Sequence, residues 1–460
     1  MLEFQFLVQS IRKEVFILDT VPNLTMTLAE FLLLYPAFMA LLWIVLSIIY
    51  AYTKEWRLPW RDDVRLTVAV VIPAHNEELV IARTLECLLN QDYRHLEIHV
   101  VSDGSLDRTV EIAAGFSDRG VIVHDLPSNR GKNGVLQYAL QLVETDLFLV
   151  VDADTQAEPN AISCMVQQFA DPRVGAVTGG IRVQNASSLL TAMQSLEYAV
   201  IVGLAKRADQ FWGGLFTVSG AAACFRTVVL REIGGWMAMT VTEDIEVSWR
   251  IQKAGYLLAY EPRGLFYVQV PSTLRALYGQ RTRWAQGMSE VLRKHGDLWH
   301  SRNSALLPIA AQAVATGIWI LLVCLVLISL AWQMCRGQFN VVGFHSINFD
   351  AVLSALNWTC GLFLVQTVVA GLIEGTRQRR DFWVLGLAFL YPVYYWLIIF
   401  PCFVIGATRG LFSQSSARWA RTERVVARPV QNICHRKIRR IPGEKEKMEI
   451  KEEIKERQNT

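Results

Sequence analysis

Four long apolar runs, and the hydrophilic stretch between the first and the second, constrain the fold of this 460-residue chain more than any other feature. The runs cover about residues 28–52, 305–332, 351–373 and 382–408. Each is long enough to cross a hydrocarbon core of about 30 Å, and the stretch between the first two is large enough for a domain with its own core. We therefore predict four parts: an N-terminal segment with an anchor helix (1–55), a domain (56–304), membrane helices (305–412) and a charged tail (413–460).

The balance of residue types supports this mixed organisation. Hydrophobic residues make up 52% of the chain and charged residues 19%, which is too apolar for an ordinary soluble protein and too charged for membrane helices alone. Basic residues flank the hydrophilic stretch: Lys54, Arg57, Arg61 and Arg65 near its start, and Arg293, Lys294 and Arg302 near its end. The positive-inside rule then predicts that the domain lies in the cytoplasm.

The last apolar run leaves the side of the tail open. A single crossing would put the basic tail on the opposite side from the domain, whereas Pro392 and Pro401 permit a broken or re-entrant path. The net charge of +3 is too small to indicate nucleic acid as a partner. Basic residues at the membrane edges and in the tail favour membrane lipids instead.

Strand-like and helix-like segments alternate in the first half of the domain. A β-branched run at 66–73 is typical of a strand buried on both faces, and helical and strand patterns then alternate at 79–90, 96–102, 106–114, 121–124, 132–144 and 147–151. This order predicts a doubly wound α/β layer, in which ligands bind beyond the carboxyl ends of the strands. No G-x-G-x-x-G follows the first strand and "GKNG" is not a P-loop, so dinucleotide oxidoreduction and ATP hydrolysis lack their usual sequence support.

Polar side chains follow these predicted strands where ligands would bind: Asn76, Glu77, Asp103, Asp152 and Asp154. A single acidic residue in such a place is more often a helix cap or turn former, but several at one edge favour a binding site. Asp152 and Asp154 suit a hard divalent cation, Mg²⁺ or Mn²⁺, that also binds diphosphate oxygens, although a D-x-D pair alone is a weak signal.

Two later segments carry candidate catalytic groups. The "TED" segment is typical of a helix cap, yet the carboxylate of Glu243 or Asp244 could also accept a proton from a sugar hydroxyl. In "GQRTRWAQG", helical spacing puts Gln280, Arg283 and Trp284 on one face. That face suits a departing diphosphate, a sugar ring and its hydroxyls. A membrane-surface helix anchored by Trp and Arg is the competing interpretation.

The ordered set "PAHNEE", "SDGS", "GK", "DAD", "TED" and "QRTRW" resembles the processive family 2 glycosyltransferases, the membrane synthases of cellulose, chitin, hyaluronan and poly-N-acetylglucosamine. The resemblance covers residues 68–291 and the pattern of flanking spans, and "VTEDIEVSWRIQ" and "RTRWAQGMSEV" look most like the bacterial poly-β-1,6-N-acetylglucosamine synthases. It implies a GT-A-like doubly wound nucleotide-sugar-binding domain inserted between transmembrane helices. The implied activity is inverting, processive transfer of N-acetylglucosamine from UDP-GlcNAc to a growing β-1,6-linked chain, coupled to export across the bacterial inner membrane.

Carried over position by position, the resemblance implies a role for each candidate on the donor side. Nucleotide binding is assigned to Asn76, Glu77, Asp103, Lys132 and Asp152. The metal, Mg²⁺ or Mn²⁺, is assigned to Asp154 together with Asp152.

On the acceptor side, Asp244 matches the family's general base and Glu243 stands beside it. Gln280, Arg283 and Trp284 match the clamp for the acceptor and the diphosphate. A polar polymer needs a polar path through hydrocarbon. Aromatic residues of the membrane runs could line that path or could pack as membrane belts: Trp319, Tyr391, Tyr394, Tyr395 and Trp396.

The resemblance also suggests a small membrane accessory subunit and, in some relatives, stimulation by cyclic di-GMP. Arg424 and Arg428 form an R-x-x-x-R pattern, but without its companion motif a lipid-facing basic tail is the better interpretation. Two alternatives stay open. One is a hyaluronan-type or chitin-type synthase or a lipid glycosyltransferase, and the other is a non-catalytic membrane assembly subunit that binds nucleotide sugar.

Overall fold

The computed structural model describes residues 23–55, 64–237, 240–297, 305–336, 349–375 and 382–412. The predictions for the basic residues at 57, 61 and 302, and for the tail with its R-x-x-x-R pattern, concern residues outside these ranges.

An eight-stranded mixed sheet forms the core of the segment between the first two apolar runs. Its strands are β1 (Val68–Ala74), β2 (Leu96–Asp103), β3 (Val121–Leu126), β4 (Leu147–Val151), β5 (Gln156–Ala157), β6 (Val174–Val183), β7 (Ala222–Arg226) and β8 (Leu257–Val268). They lie in the order β3-β2-β1-β4-β7-β6-β8-β5. The first four are parallel, whereas β7 runs antiparallel to both β4 and β6.

The helices surround this sheet and continue beyond it. They are α1 (Asn23–Thr53), α2 (Ile81–Leu89), α3 (Thr109–Ala114), α4 (Gly131–Leu142), α5 (Ala161–Gln167), α6 (Leu189–Tyr198), α7 (Ala205–Phe211), α8 (Thr227–Glu232), α9 (Glu243–Lys253), α10 (Leu274–Lys294), α11 (Leu306–Cys335), α12 (Phe349–Gly375), α13 (Phe382–Leu385), α14 (Tyr391–Tyr394) and α15 (Phe400–Phe412).

The inner strands of the parallel half, β1 and β4, are buried on both faces. Every residue of β1 is buried, as its uninterrupted β-branched sequence predicts. Helix α2 contributes Ile81, Leu85 and Leu88, which share one face by helical spacing and are fully buried. The predicted doubly wound α/β layer is confirmed in this half. The antiparallel β7 joins it to a second half that the alternation pattern did not predict.

Four helical stretches in the described part of the chain are long and apolar enough to cross a membrane: Leu34–Thr53, Leu306–Ser329, Asn357–Glu374 and Ala388–Phe412. They correspond to the four apolar runs, and the chain is a membrane protein with the sheet between its first and second candidate spans.

A buried charge cluster ties two of these spans to the sheet domain. The Arg207 guanidinium on α7 donates to Glu55, just after α1, at 2.7 Å, and also to Glu374 near the end of α12. Arg182 on β6 donates to the same Glu374 carboxylate at 3.0 Å. The Arg207 side chain is fully buried. Removing one member of such a cluster typically costs about 3–5 kcal/mol, because an uncompensated charge stays buried.

The last apolar run is not one continuous α-helix. A 3₁₀ turn at Ala388–Leu390 and a π-helical stretch at Tyr395–Ile399 separate α13, α14 and α15, and Pro392 lies at the start of α14. This is the broken path that its prolines permit.

Helix α15 packs closely against α10, the helix that contains "GQRTRWAQG". A Cβ atom on Gly406 would overlap the carbonyl oxygen of Thr282, and one on Gly410 would overlap that of Gln286. Glycines four residues apart allow two helix backbones to approach each other in this way. The position of α10 therefore depends on the absence of side chains at these two places.

We expect Gly406→Ala to destabilise the protein by about 1–3 kcal/mol, the usual cost of forcing a methyl group into a filled contact. The midpoint of thermal unfolding in nanodiscs measures this. Gly361→Ala on α12 is the matched control, because a Cβ there meets nothing within 4 Å. Equal midpoints for the two variants would show that the α10–α15 contact does not need its glycines.

Candidate active site

One cavity of about 650 Å³ connects the carboxyl ends of the parallel strands with the membrane helices. Nine of the eleven site residues predicted from sequence line it: Glu77, Lys132, Asp152, Asp154, Glu243, Asp244, Gln280, Arg283 and Trp284. The other two, Asn76 and Asp103, are not part of the lining. The structure thus gathers side chains from β4, α4, α9 and α10 around a single space.

Asp103, the last residue of β2, anchors the start of α4. Its buried carboxylate accepts hydrogen bonds from the backbone N–H of Arg130 at 2.6 Å and of Gly131 at 2.9 Å. Gly131 adopts a φ of +73°, a conformation that glycine tolerates without steric cost. Asp103 therefore fixes the turn that brings Lys132 into the cavity.

Lys132 joins two of the acidic segments. Its Nζ donates to Asp152 at 2.8 Å and forms an ion pair with Glu243 at 2.9 Å. Burial by itself would lower the pKa of Lys132, but the two carboxylates outweigh burial and raise that pKa above its ordinary value. Burial would likewise raise the pKa of Glu243, yet Lys132, with a smaller contribution from Arg283, keeps it below its ordinary value. Both groups are therefore charged at neutral pH.

Asp244, the next residue on α9, has a different environment. Its carboxylate accepts from the Gly220 N–H at 3.2 Å and from its neighbour Ile245 N–H at 3.0 Å. Burial, and then the adjacent Glu243 carboxylate, raise the pKa of Asp244 from its ordinary 3.8 to about 6. Two neighbouring carboxylates with pKa values shifted in opposite directions are typical of acid–base chemistry.

The loop after β1 carries Asn76 and Glu77. Asn76 has a φ of +56°, and its side-chain oxygen accepts from the Leu106 N–H at 2.8 Å, which joins this loop to the one after β2. Asn and Asp tolerate this left-handed conformation better than other side chains. Glu77 lines the cavity and is buried, as is Asp154 after β4.

Helix α10 presents Gln280, Arg283 and Trp284 to the cavity, on the shared face that their spacing predicts. The intervening Arg281 stabilises two of them: its guanidinium donates to the Gln280 side chain and lies 4.1 Å from the centre of the Trp284 ring. Both oxygens of Glu197 on α6 accept from Arg281 at 2.8 Å. The orientation of the acceptor-side residues therefore depends on a buried ion pair between α6 and α10.

The membrane half of the cavity is lined by polar and aromatic side chains, including Trp319, Tyr391 and Tyr395 among the five predicted candidates. Tyr394 instead donates to Glu197 at 2.8 Å. Trp396 packs against Trp319 and is not part of the lining.

Two hydrogen bonds join α1 to α11 beside the membrane part of the cavity. Pro36 lies inside α1 and cannot donate to the Leu32 carbonyl four residues before it. The Trp319 indole N–H donates to that carbonyl at 2.9 Å. Tyr35 bonds Thr316 of α11 at 2.6 Å beside it.

Sequence reasoning missed Arg281, Glu197 and Lys206. Lys206 is buried on α7 and lines the cavity. Its only sequence signal was a pair of basic residues, Lys206 and Arg207, following the apolar segment "AVIVGLA". A π-helical stretch, Ala199–Leu204, precedes α7, and such stretches are frequent at functional sites.

The carboxylates at the β4 end of the cavity fit a divalent cation that arrives with its ligand. Among the described residues, no three or more His, Cys, Asp and Glu side chains gather as a metal-binding group. Asp152 and Asp154 nevertheless offer hard oxygen donors to the same cavity. Mg²⁺ in phosphate-handling sites commonly takes one or two protein carboxylates and fills its other positions with phosphate oxygens and water.

Comparisons with known proteins identify a family model and several relatives of this chain. A family model described as "Glycosyltransferase like family 2" matches residues 65–287. A relative from Staphylococcus epidermidis named poly-beta-1,6-N-acetyl-D-glucosamine synthase is 31% identical over 423 residues, which are 86% of this chain and 98% of the relative. A relative of the same name from Staphylococcus aureus (strain COL) is 32% identical over 407 residues, which are 86% of this chain and 98% of the relative.

Among solved structures, the mannosyltransferase PcManGT from Pyrobaculum calidifontis, in complex with GDP-Man and Mn²⁺, matches with a TM-score of 0.57 and 19% sequence identity. The match covers 84% of this chain and 99% of that one. At this identity the likeness concerns the fold, which is the GT-A-like fold expected from the motifs.

Proposed function

The chain belongs to glycosyltransferase family 2, and from that membership we propose that it transfers N-acetylglucosamine from UDP-GlcNAc to the end of a growing β-1,6-linked polymer. It is an enzyme, a glycosyltransferase. Two relatives at 31% and 32% identity over nearly their full lengths bear the name of that polymer's synthase. The observation that carries the proposal is the single cavity, in which the strand-end carboxylates, Asp244 and the face of α10 meet.

On the donor side, Asp152 and Asp154 would hold Mg²⁺ or Mn²⁺ together with diphosphate oxygens. The cation supplies positive charge to the leaving diphosphate. Glu77 extends from the loop that the Asn76 side chain ties to the loop after β2, which supports the uridine-binding role expected of this edge. Asp103 would act through the backbone, by fixing the turn that carries Lys132.

On the acceptor side, Asp244 would accept the proton of the attacking sugar hydroxyl. The hydroxyl oxygen bonds to the anomeric carbon from the face opposite the diphosphate, the bond from that carbon to the phosphate oxygen breaks, and UDP leaves with the bonding electrons. The configuration at the anomeric carbon inverts. Arg283 would bind the departing diphosphate, while Gln280 and Trp284 would hold the acceptor sugar. Lys132 keeps Glu243 ionised, so Asp244 is the better proton acceptor because its pKa is nearer to neutral.

Export is part of the proposal, because the same cavity continues among the membrane helices. Its lining there includes Gln312, Thr316 and Gln366, whose polar groups can replace water around sugar hydroxyls. The aromatic side chains of Trp319, Tyr391 and Tyr395 offer flat faces to sugar rings. Each added sugar would lengthen the polymer from the acceptor site into this path.

The bacterial inner membrane, with residues 56–304 as a cytoplasmic domain, is the location that we propose. Lys54, Arg293 and Lys294, at the ends of that domain, support the orientation through the positive-inside rule. From the family resemblance, we also propose that the protein contacts membrane lipids and a small membrane accessory subunit. Regulation by cyclic di-GMP would be carried over from some relatives, and the R-x-x-x-R pattern of Arg424 and Arg428 lies outside the described residues.

The test uses the full chain purified in nanodiscs with Mg²⁺ or Mn²⁺. UDP release is compared for UDP-GlcNAc, UDP-glucuronate and UDP-glucose, and any polymer is digested with a β-1,6-N-acetylglucosaminidase. Release from UDP-GlcNAc alone, with a digestible product, is expected. A requirement for a second sugar would indicate a hyaluronan-type synthase, and no release from any donor would contradict the proposal. Export is tested in proteoliposomes to which UDP-GlcNAc is added on the outside. If the polymer is exported into the lumen, β-1,6-N-acetylglucosaminidase added on the outside should not digest it.

We also expect the rate of UDP release at saturating donor to fall with an apparent pKa near 6 as the pH is lowered. Only the ionised Asp244 carboxylate can accept a proton, and its pKa is raised to about 6. Below that pH its ionised fraction falls tenfold per pH unit. Initial rates between pH 5 and 8, corrected for any change in UDP affinity, test this. An acid limb near the ordinary aspartate value of 3.8 would contradict the assignment.

A further inference from the structure

Lys206 is a buried lysine that the proposed reaction does not use. Its Nζ donates to the Thr217 carbonyl oxygen at 2.9 Å and to the Ser219 hydroxyl at 2.9 Å, and lies 3.5 Å from the Thr178 hydroxyl. The residue is only 6% exposed. An ammonium group is strongly hydrated in water, so burial with only these neutral partners is costly.

The turn that Lys206 holds is in direct contact with the proposed base. Ser219 also donates its backbone N–H to Thr178 at 2.9 Å. The following residue, Gly220, donates its N–H to Asp244 at 3.2 Å and accepts from Lys132 at 3.3 Å. A Cβ atom on Gly220 would lie 3.3 Å from the Asp244 carboxylate. Two hydrogen-bonded steps therefore connect Lys206 to Asp244.

We propose that Lys206 is a positioning residue for Asp244, which it holds in place through the turn at Ser219 and Gly220. The proposal rests on the proposed function, in which Asp244 accepts the acceptor proton. It explains why a lysine is buried with three oxygen atoms beside the reacting space. It also accounts for the small residues of "SGAAA", which are this turn and the first two residues of β7. Because none of these side chains is larger than a methyl or hydroxymethyl group, the segment can lie between a lysine and a carboxylate.

The charges around Lys206 agree with this role. Burial lowers the pKa of Lys206 to about 7, while Asp244 and Asp209 act in the opposite direction. Asp209 is buried too, and burial raises its pKa to about 7. Asp244 also faces Glu243 and Lys132. At the pH where Asp244 titrates, near 6, Lys206 carries a proton, so its loss would raise the pKa of Asp244 further.

The experiment compares Lys206→Met with Lys206→Arg in the full chain in nanodiscs. Methionine keeps the length and apolar stem but removes the donor and the charge, whereas arginine keeps both. A displaced base costs rate rather than donor affinity, so we expect Lys206→Met to lower kcat about tenfold to a hundredfold with little change in KM for UDP-GlcNAc. Lys206→Arg should recover part of the rate. Lys253→Met is the control, since Lys253 pairs at the surface with Asp297.

A second readout needs no substrate. Infrared difference spectra during a pH titration contain a protonated-carboxyl band that Asp244→Asn removes, and its midpoint reports the pKa of Asp244. We expect a midpoint near 6 in the unmodified protein and a higher one in Lys206→Met. If Lys206→Met does not fold, Ser219→Ala replaces it, because this variant keeps the lysine and removes one of its partners. It should also raise the midpoint, since a displaced turn weakens the Gly220 N–H bond that lowers the pKa of Asp244.

Unchanged kcat in folded Lys206→Met would overturn the proposal. So would a loss of kcat with no movement of the Asp244 midpoint and no recovery by arginine, because that pattern indicates packing alone. If the unmodified protein does not use UDP-GlcNAc, the proposed function fails, yet the infrared midpoint still decides whether Lys206 controls Asp244.

Discussion

Asp244→Asn should reduce UDP release by about 10³-fold, within the range of 10²–10⁴ that general-base catalysis typically contributes. Asparagine preserves the size of the side chain but cannot take the proton of the acceptor hydroxyl. Binding of UDP should change little, because the diphosphate is assigned to Arg283 and to the metal site of Asp152 and Asp154. The variant should therefore lose kcat with nearly unchanged donor affinity, measured as UDP release alongside calorimetric UDP binding.

The stability of Asp244→Asn gives an independent check, because this variant should lose activity without losing stability. A folded-state pKa raised from 3.8 to about 6 means that the ionised Asp244 destabilises the fold, by an amount that grows as pH rises from 4 to 6 and then stays constant. The shift corresponds to about 3 kcal/mol at most, and the N–H bonds lost by asparagine offset part of the gain. Thermal unfolding at pH 8 should occur at the same or a higher temperature than in the unmodified protein. A marked decrease would indicate a structural role instead.

Asp297→Asn serves as the matched control for Asp244→Asn. Asp297 is an exposed carboxylate just beyond α10, paired with Lys253. If Asp297→Asn keeps full activity and Asp244→Asn loses it, the loss comes from the place of Asp244 in the cavity and not from removing any carboxylate. Substantial UDP release by Asp244→Asn would require another proton acceptor, for which Glu243 is the neighbouring candidate.

Asp154→Asn should abolish most metal-dependent donor binding. A bound cation stabilises transferring phosphate charge by several kcal/mol, so we expect about a 10²- to 10³-fold loss of kcat/KM at about 1.4 kcal/mol per tenfold. Calorimetry of UDP binding with and without Mn²⁺ measures the cause directly: Mn²⁺ should strengthen UDP binding in the unmodified protein and much less in the variant.

The matched control for Asp154→Asn is Asp171→Asn, because Asp171 lies outside the cavity and pairs with Arg173. It should keep Mn²⁺-dependent UDP binding. Unchanged Mn²⁺ dependence in Asp154→Asn would remove Asp154 from the metal site, and the role would then pass to Asp152 or to a site without this pair.

Much of the donor half could be predicted from sequence because its signals are local. Strands of the parallel layer are continuous β-branched runs, and their carboxyl ends meet at one edge by the geometry of the fold. The polar residues that follow β1, β2 and β4 were therefore predicted to lie together. Helical spacing likewise put Gln280, Arg283 and Trp284 on one face of α10. Whether they perform their assigned roles is for the variants to decide.

What sequence could not supply depends on contacts between distant segments. Arg281 looks like one more basic residue on a membrane-surface helix, and only Glu197, 84 positions away, makes it a buried ion pair. The role proposed for Lys206 likewise depends on its contact with Ser219 and on the nearby Asp244, neither of which its own sequence neighbourhood indicates. The strand β7 was not predicted at all, because the small residues at its start, Ala222 and Ala223, lack the β-branched signal of the parallel strands. The broken last run was only permitted by its prolines, since tertiary packing decides where a helix bends.

The Arg207 cluster has a consequence for the order in which a newly made chain can mature. Two arginines, Arg207 and Arg182, are balanced by two glutamates, and one of these, Glu374, is translated nearly 170 residues after Arg207. Until the ribosome has delivered α12 to the bilayer, the sheet domain holds both arginines without Glu374, a state that favours local opening. The lining of the cavity, which includes Gln366 on α12, is likewise incomplete until that helix has been made.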